Sequence, residues 1–157
     1  MKWKKWLEHW DMTSLKITTP FLEMEWQPQE ADKRAAWELY IELLTRVSTQ
    51  TLPDTYGDEK TALNSIYSLF QITREIIKEN GRECVEFTKI AIIVLNQVIR
   101  PFTAKWHTLS IKSGFEDETT RREFRVELEG LQKTLRNYTK ALADMAGVED
   151  LTSLERG

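Results

Sequence analysis

Cysteine and histidine are almost missing from this chain, and each scarcity closes off a class of chemistry. Cys84 is the only cysteine, so neither an intrachain disulfide nor a cysteine-based zinc site can form. His9 and His107 are the only histidines, and no glutamate stands three residues before either. That removes the usual di-iron site of helical bundles, which needs Glu-x-x-His pairs. The six glycines make neither a GxGxxG turn nor a phosphate-binding loop. No metal and no cofactor is therefore expected.

Long apolar runs are missing too. The longest, residues 90–95, is far too short to span a bilayer. The opening MKWKKWLEHWD is basic but meets Glu8 and Asp11 too soon to hold the apolar core of a signal peptide. These absences lead to the expectation of a cytoplasmic protein with no transmembrane segment. Charge of one sign is also scarce, the formal net charge being −3. A protein that coats nucleic acid is usually clearly basic, so contact with nucleic acid would have to be local.

What is present is a helical pattern. With 157 residues, 41% hydrophobic and 30% charged, the chain suits one domain with a substantial core. Trp3, Trp6, Leu7 and Trp10 recur at helical spacing behind Lys2, Lys4 and Lys5. Leu22, Met24 and Trp26 then alternate with Glu23 and Glu25, the period of an extended segment. Pro20 and Pro28 punctuate that stretch. Residues 1–28 thus read as a tryptophan-rich arm, residues 29–150 as the helical domain and 151–157 as a tail.

Within 29–150 the spacing predicts four long helices. The first runs from about Asp32, its cap, to about Gln50, with Trp37, Tyr40, Ile41, Leu44 and Val47 inward. LPDTYGD is a connection. Asp58 caps the second, whose stripe is Leu63, Ile66, Phe70, Thr73 and Ile77, ending at Asn80-Gly81. The third starts near Arg82 and is apolar nearly all round from Ile90 to Ile99, so burial on every side is expected. Pro101 should bend it, because proline cannot donate to the carbonyl of Gln97. The fourth runs from about Thr119 to Met145 on a seam of Phe124, Leu128, Leu131, Leu135, Tyr138, Leu142 and Met145. That 3.5-residue period belongs to near-parallel helix packing. The expected fold is all-α: an antiparallel four-helix bundle with a kinked third helix, preceded by a short Trp-rich helix and an extended segment.

Two places could carry function. Arg100 and His107 lie two helical turns apart with Lys105 close by, and two permanent cations with an imidazole are the parts of an anion or phosphate site. The bland alternative is an arginine paired at a helix bend and a histidine satisfied within its helix. The second place is the arm, where Trp3, Trp6, Leu7, Trp10 and Trp26 could meet a partner groove or a membrane surface, or cap the chain's own helices. Cys84, near a helix start, reads as a packed thiol because no base neighbours it in sequence.

Arg100 and His107, with six residues between them, resemble the motif of the HEPN superfamily of small helical-bundle ribonucleases, an Arg and a His on an inner helix usually acting across a dimer. The resemblance implies that Arg100 steadies phosphate charge while His107 assists proton transfer at the ribose hydroxyl. Pro101 departs from it, since that position is often polar in the family. Over longer stretches, AAWELYIELLTR, FTKIAIIVLNQVIRPFTAKWH and LADMAGVEDLT resemble an uncharacterised family of small all-α bacterial proteins of the kind linked to defence or conflict loci. Together these readings favour a non-enzymatic helical protein–protein interaction module, a subunit or adaptor with a protein partner or self-association. The alternatives are a HEPN-like ribonuclease effector using Arg100 and His107, and a nucleotide or anion sensor adding Lys105.

Overall fold

A computed structural model describes residues 1–46, 48–52 and 58–154. Val47 of the expected inner stripe, residues 53–57 of the connection and residues 155–157 of the tail lie outside the described residues. Among the described residues the chain is helical and has no strand. Helix α1 spans Trp3–His9 and the single turn α2 spans Thr19–Leu22. Pro20 starts that turn instead of breaking it, because the first helical amides need no partner. Only the end of the expected extended segment is extended. Lys2 and Glu25 form an isolated antiparallel bridge, with Trp3 N–H donating to Met24 O at 3.0 Å and Trp26 N–H to Met1 O at 2.8 Å.

Helix α3 spans Glu30–Leu44. Its cap is Gln29, not Asp32: the Gln29 amide donates to Asp32 Oδ2 at 2.7 Å in a capping box. The helix also stops six residues before Gln50. There Ser48 and Thr49 hydroxyls donate to Leu43 O and the Gln50 amide to Leu44 O, at 2.7–2.9 Å. Side chains that serve terminal carbonyls in this way compete with helix continuation. Tyr40 and Leu44 are buried as expected, but Trp37 is 43% exposed and Ile41 is half-buried. The inner row is instead Ala31, Ala35, Ala36, Leu39 and Leu43. Small side chains there let the long C-terminal helix, Glu118–Ala146, pack closely along α3.

The expected second helix is two, α4 (Glu59–Tyr67) and α5 (Leu69–Asn80), meeting at Ser68. Gly81 closes α5 at φ +82°, where a Cβ would be strained. Helix α6 (Val85–Val94) runs through a π-helical turn at Leu95–Ile99 into α7 (Arg100–Ile111), and Pro101 sits in the first turn of α7. The π-turn absorbs the missing proline donor. This helix is not enclosed on every side, since Val85 and Ile92 are 50% and 47% exposed. The fully buried row belongs to α8 (Glu118–Ala146), capped by Asp117, where all seven predicted seam residues lie in the core. The tail folds back far enough for Leu151 N–H to donate to Tyr40 Oη at 2.7 Å.

Candidate functional site

Helical spacing turns Arg100, Thr103, Ala104 and His107 of α7 to one side. Tyr67 at the end of α4 and Phe70 and Arg74 of α5 face them, and together they line an open cleft of about 470 Å³. Arg100 and His107 therefore do share a surface, and the structure adds Arg74, which the sequence did not single out. Arg100 lies over the Phe70 ring, its guanidinium carbon 4.7 Å from the centroid, and donates from Nε to Asn96 Oδ1 at 3.1 Å. Both partners are neutral, so the arginine keeps its charge available. Arg74 is exposed, and neither arginine meets a carboxylate among the described residues. No acidic residue among the described ones lines the cleft.

His107 stands edge-on to Tyr67, ring centroids 4.8 Å apart. Its Nε2 is out of contact with solvent and has no hydrogen-bond partner among the described residues. The outer wall is open: Tyr67 is 54% exposed and Ile111 84%. A shelf of aromatic and apolar surface thus adjoins two guanidinium groups, which suits a planar ring carrying an anionic group.

Lys105 does not join this site. It points to α8, pairs with Glu127, and lies 5.0 Å from the Trp106 ring centroid. Trp106 Nε1 donates to the other oxygen of the same glutamate, Oε2. Five residues along a helix is well off the Arg100 face, and Glu127 then fixes the ammonium there.

The tryptophans of the arm are turned inward. Trp3 and Trp6 have no exposed surface and Leu7 is buried, while Trp10 and Trp26 are half-buried. Trp3 Nε1 donates to Glu86 Oε2 of α6 at 2.8 Å. Trp6 and Trp10 both donate to Asp144 Oδ2 of α8, at 2.8 and 3.2 Å. Trp26 stacks on Trp6 with ring centroids 5.1 Å apart. Further along, the Gln97 side chain both donates to and accepts from the Lys16 backbone at 2.7 Å. The face read as partner-binding is, in this arrangement, a set of contacts to the chain's own helices. Amphipathic spacing marks a buried face without saying what covers it.

Cys84 is buried and its thiol approaches Gly81 O at 3.1 Å. Among the described residues no three His, Cys, Asp or Glu side chains gather as metal ligands, and no helix is long and apolar enough to cross a membrane. Tyr67, Phe70 and Arg74 did carry a signal in the sequence, being spaced at i, i+3 and i+7. What it could not supply was which helix they face. Comparison with family models, curated proteins and solved structures found no match for this chain.

Proposed function

We propose that this protein is a non-enzymatic helical recognition module that binds a phosphate-type anion attached to a planar ring, a nucleotide being the simplest such ligand. One observation carries the reading: Arg74 and Arg100 face a common cleft with aromatic walls and, among the described residues, without a carboxylate to neutralise them. Guanidinium forks match phosphate oxygens, and the exposed Tyr67 ring offers a face for stacking. The scaffold is read as an antiparallel four-helix bundle, with its third helix bent at the π-turn, and a subunit or adaptor role in a larger bacterial assembly fits such a module. Lys105 is left out of the site because Glu127 holds it elsewhere.

Ribonuclease action by Arg100 and His107 is the second reading. It is favoured by their shared cleft and disfavoured by the closed-off Nε2 of His107, since a proton-transfer group must come within hydrogen-bond reach of the substrate. Calorimetric titration with AMP and with inorganic phosphate tests the main reading. AMP should bind more tightly than phosphate, and Arg74→Ala and Arg100→Ala should each weaken it about tenfold, the loss of one charge-assisted contact. Absence of AMP binding at millimolar concentration, or affinity unchanged in both variants, overturns it. RNA cleavage that disappears in His107→Ala would instead establish the second reading.

A further inference from the structure

The opposite flank of α5 carries a second, chemically different surface. At about 100° per residue, Ile72, Glu75 and Glu79 point away from the Phe70–Arg74 side. They face Trp37, Glu38, Ile41 and Glu42 of α3 across a groove of about 370 Å³. Its floor is apolar: Ile41 and Ile72 are half-buried, and Trp37 is 43% exposed. An indole left that open costs hydrophobic free energy unless something covers it. The neighbouring Tyr40 ring, 5.9 Å away and nearly parallel, holds it in place from the core side.

Four glutamates rim this floor, and no basic residue among the described ones lines it. Among the described residues only Glu42 has a cationic partner, Arg46 at 2.8 Å. Glu38 and Glu75 accept from the neutral amides of Asn80 and Gln71, at 3.2 and 3.1 Å. Three of the four charges thus stay uncompensated by an ion pair among the described residues, on a chain whose total charge is only −3. The acidic rows at positions 38 and 42 and at 75 and 79 are each one helical turn apart. That spacing matches the basic residues flanking the apolar stripe of an amphipathic helix laid along the groove.

We infer that this groove is the docking surface for a basic amphipathic helix of a partner protein, with Trp37 as its anchor. Charge sets the choice of partner. A second exposed apolar patch, around Val85, is lined by Lys78 and Arg82 and so suits an acidic occupant instead. A second copy of this chain is a poor occupant, because its own basic amphipathic helix, α1, already buries Trp3 and Trp6. The inference stands apart from the anion cleft, which uses other residues of α5.

The test is fluorescence anisotropy with a labelled synthetic helix of leucines on one face and lysines on the other. Its controls are the same peptide with glutamates for the lysines, and the Glu123→Lys protein, altered in charge at an exposed residue of α8 that does not line the groove. Binding of the lysine peptide should weaken about tenfold in Trp37→Ala and in the double variant Glu75→Lys, Glu79→Lys, and should weaken with added salt. The Glu123→Lys protein should bind as the unaltered one does. All substituted residues are exposed, and thermal melts by circular dichroism confirm that the variants fold. Equal weakening by Glu123→Lys, equal binding of the glutamate peptide, or no binding of the lysine peptide overturns the inference. So does sedimentation showing self-association that Glu75→Lys, Glu79→Lys abolishes, because the occupant is then a second copy.

Discussion

The indole N–H of Trp6 donates to Asp144 Oδ2 at 2.8 Å, tying the first helix to the last turns of α8 across almost the full length of the chain. Asp144 also takes the Trp10 indole at 3.2 Å, so one carboxylate holds two tryptophans. Trp6 itself is fully buried, between the edge of Trp3 and the face of Trp26. Residues 1–12 are thereby part of the core. Their deletion should abolish cooperative thermal unfolding, and Trp6→Ala should cost roughly 3–5 kcal/mol. Asp144→Ala, which leaves two indole donors without this acceptor, should cost roughly 1–3 kcal/mol. Circular-dichroism melts and urea titrations measure all three. A truncated chain that keeps its helical signal and a sharp transition would show that the arm is an accessory.

Asp32 is a second long-range tie. The sequence marks it as a helix start, and the structure gives its fully buried carboxylate two such duties. Oδ2 accepts the Gln29 amide at the start of α3, and Oδ1 accepts the Phe87 amide in the first turn of α6 at 2.9 Å. A cap is worth about 1 kcal/mol, and a buried amide left bare costs more. Asp32→Ala should therefore destabilise the fold by roughly 2–4 kcal/mol in urea. Asp32→Asn should also destabilise it, because its amide group would present a donor to one of the two N–H groups. A loss below 1 kcal/mol in the alanine variant would show that the second cap contributes little.

These cases mark what was legible in the residues. The α8 seam was readable in full, because its 3.5-residue period is long and unbroken. The helix end at Asn80-Gly81 was readable from backbone chemistry, and Pro101 marked the neighbourhood of the π-turn at Leu95–Ile99. The inner face of α3 was not: Trp37 looked like core, whereas packing against α8 selected the alanines. The pairing of Arg100 with His107 came from spacing on one helix, which is local. Arg74 and Tyr67 were hidden because their role depends on which helices meet, and no local pattern states that. Lys105 was misplaced by the same lack, since only the position of Glu127 on α8 decides its direction.

Two exposed caps give the fold an acid-side dependence. The Thr61 hydroxyl and then its amide donate to Asp58, and Thr120 does the same for Asp117, so both carboxyls lie below the usual range. A carboxyl held lower in the folded state stabilises above its unfolded pKa of about 4. That stabilisation is lost as pH falls through the folded value. The Tm should thus decline as pH drops below about 4, and the double variant Asp58→Asn, Asp117→Asn should show a shallower decline, since asparagine caps without titrating. Parallel Tm profiles for the two proteins between pH 6 and pH 2 would overturn this assignment.

Tyr138 points the opposite way. Its hydroxyl is buried with no hydrogen-bond partner among the described residues, in a tight space lined by Leu39, Leu69, Val94 and Ile99, and burial pushes its phenol far above the ordinary range. An unpaired buried hydroxyl costs free energy, so Tyr138→Phe should leave stability unchanged or raise it by up to about 2 kcal/mol at neutral pH. The sign at high pH follows from linkage. A phenol raised in the folded state contributes stability below its unfolded pKa of about 10, and that contribution is lost as pH climbs toward the folded value. The phenylalanine variant has nothing to titrate at this position and should gain on the tyrosine protein above pH 10. Urea denaturation at pH 7 and pH 11 reads both effects. A variant that loses more than 1 kcal/mol at pH 7 would mean that the hydroxyl is hydrogen-bonded in solution.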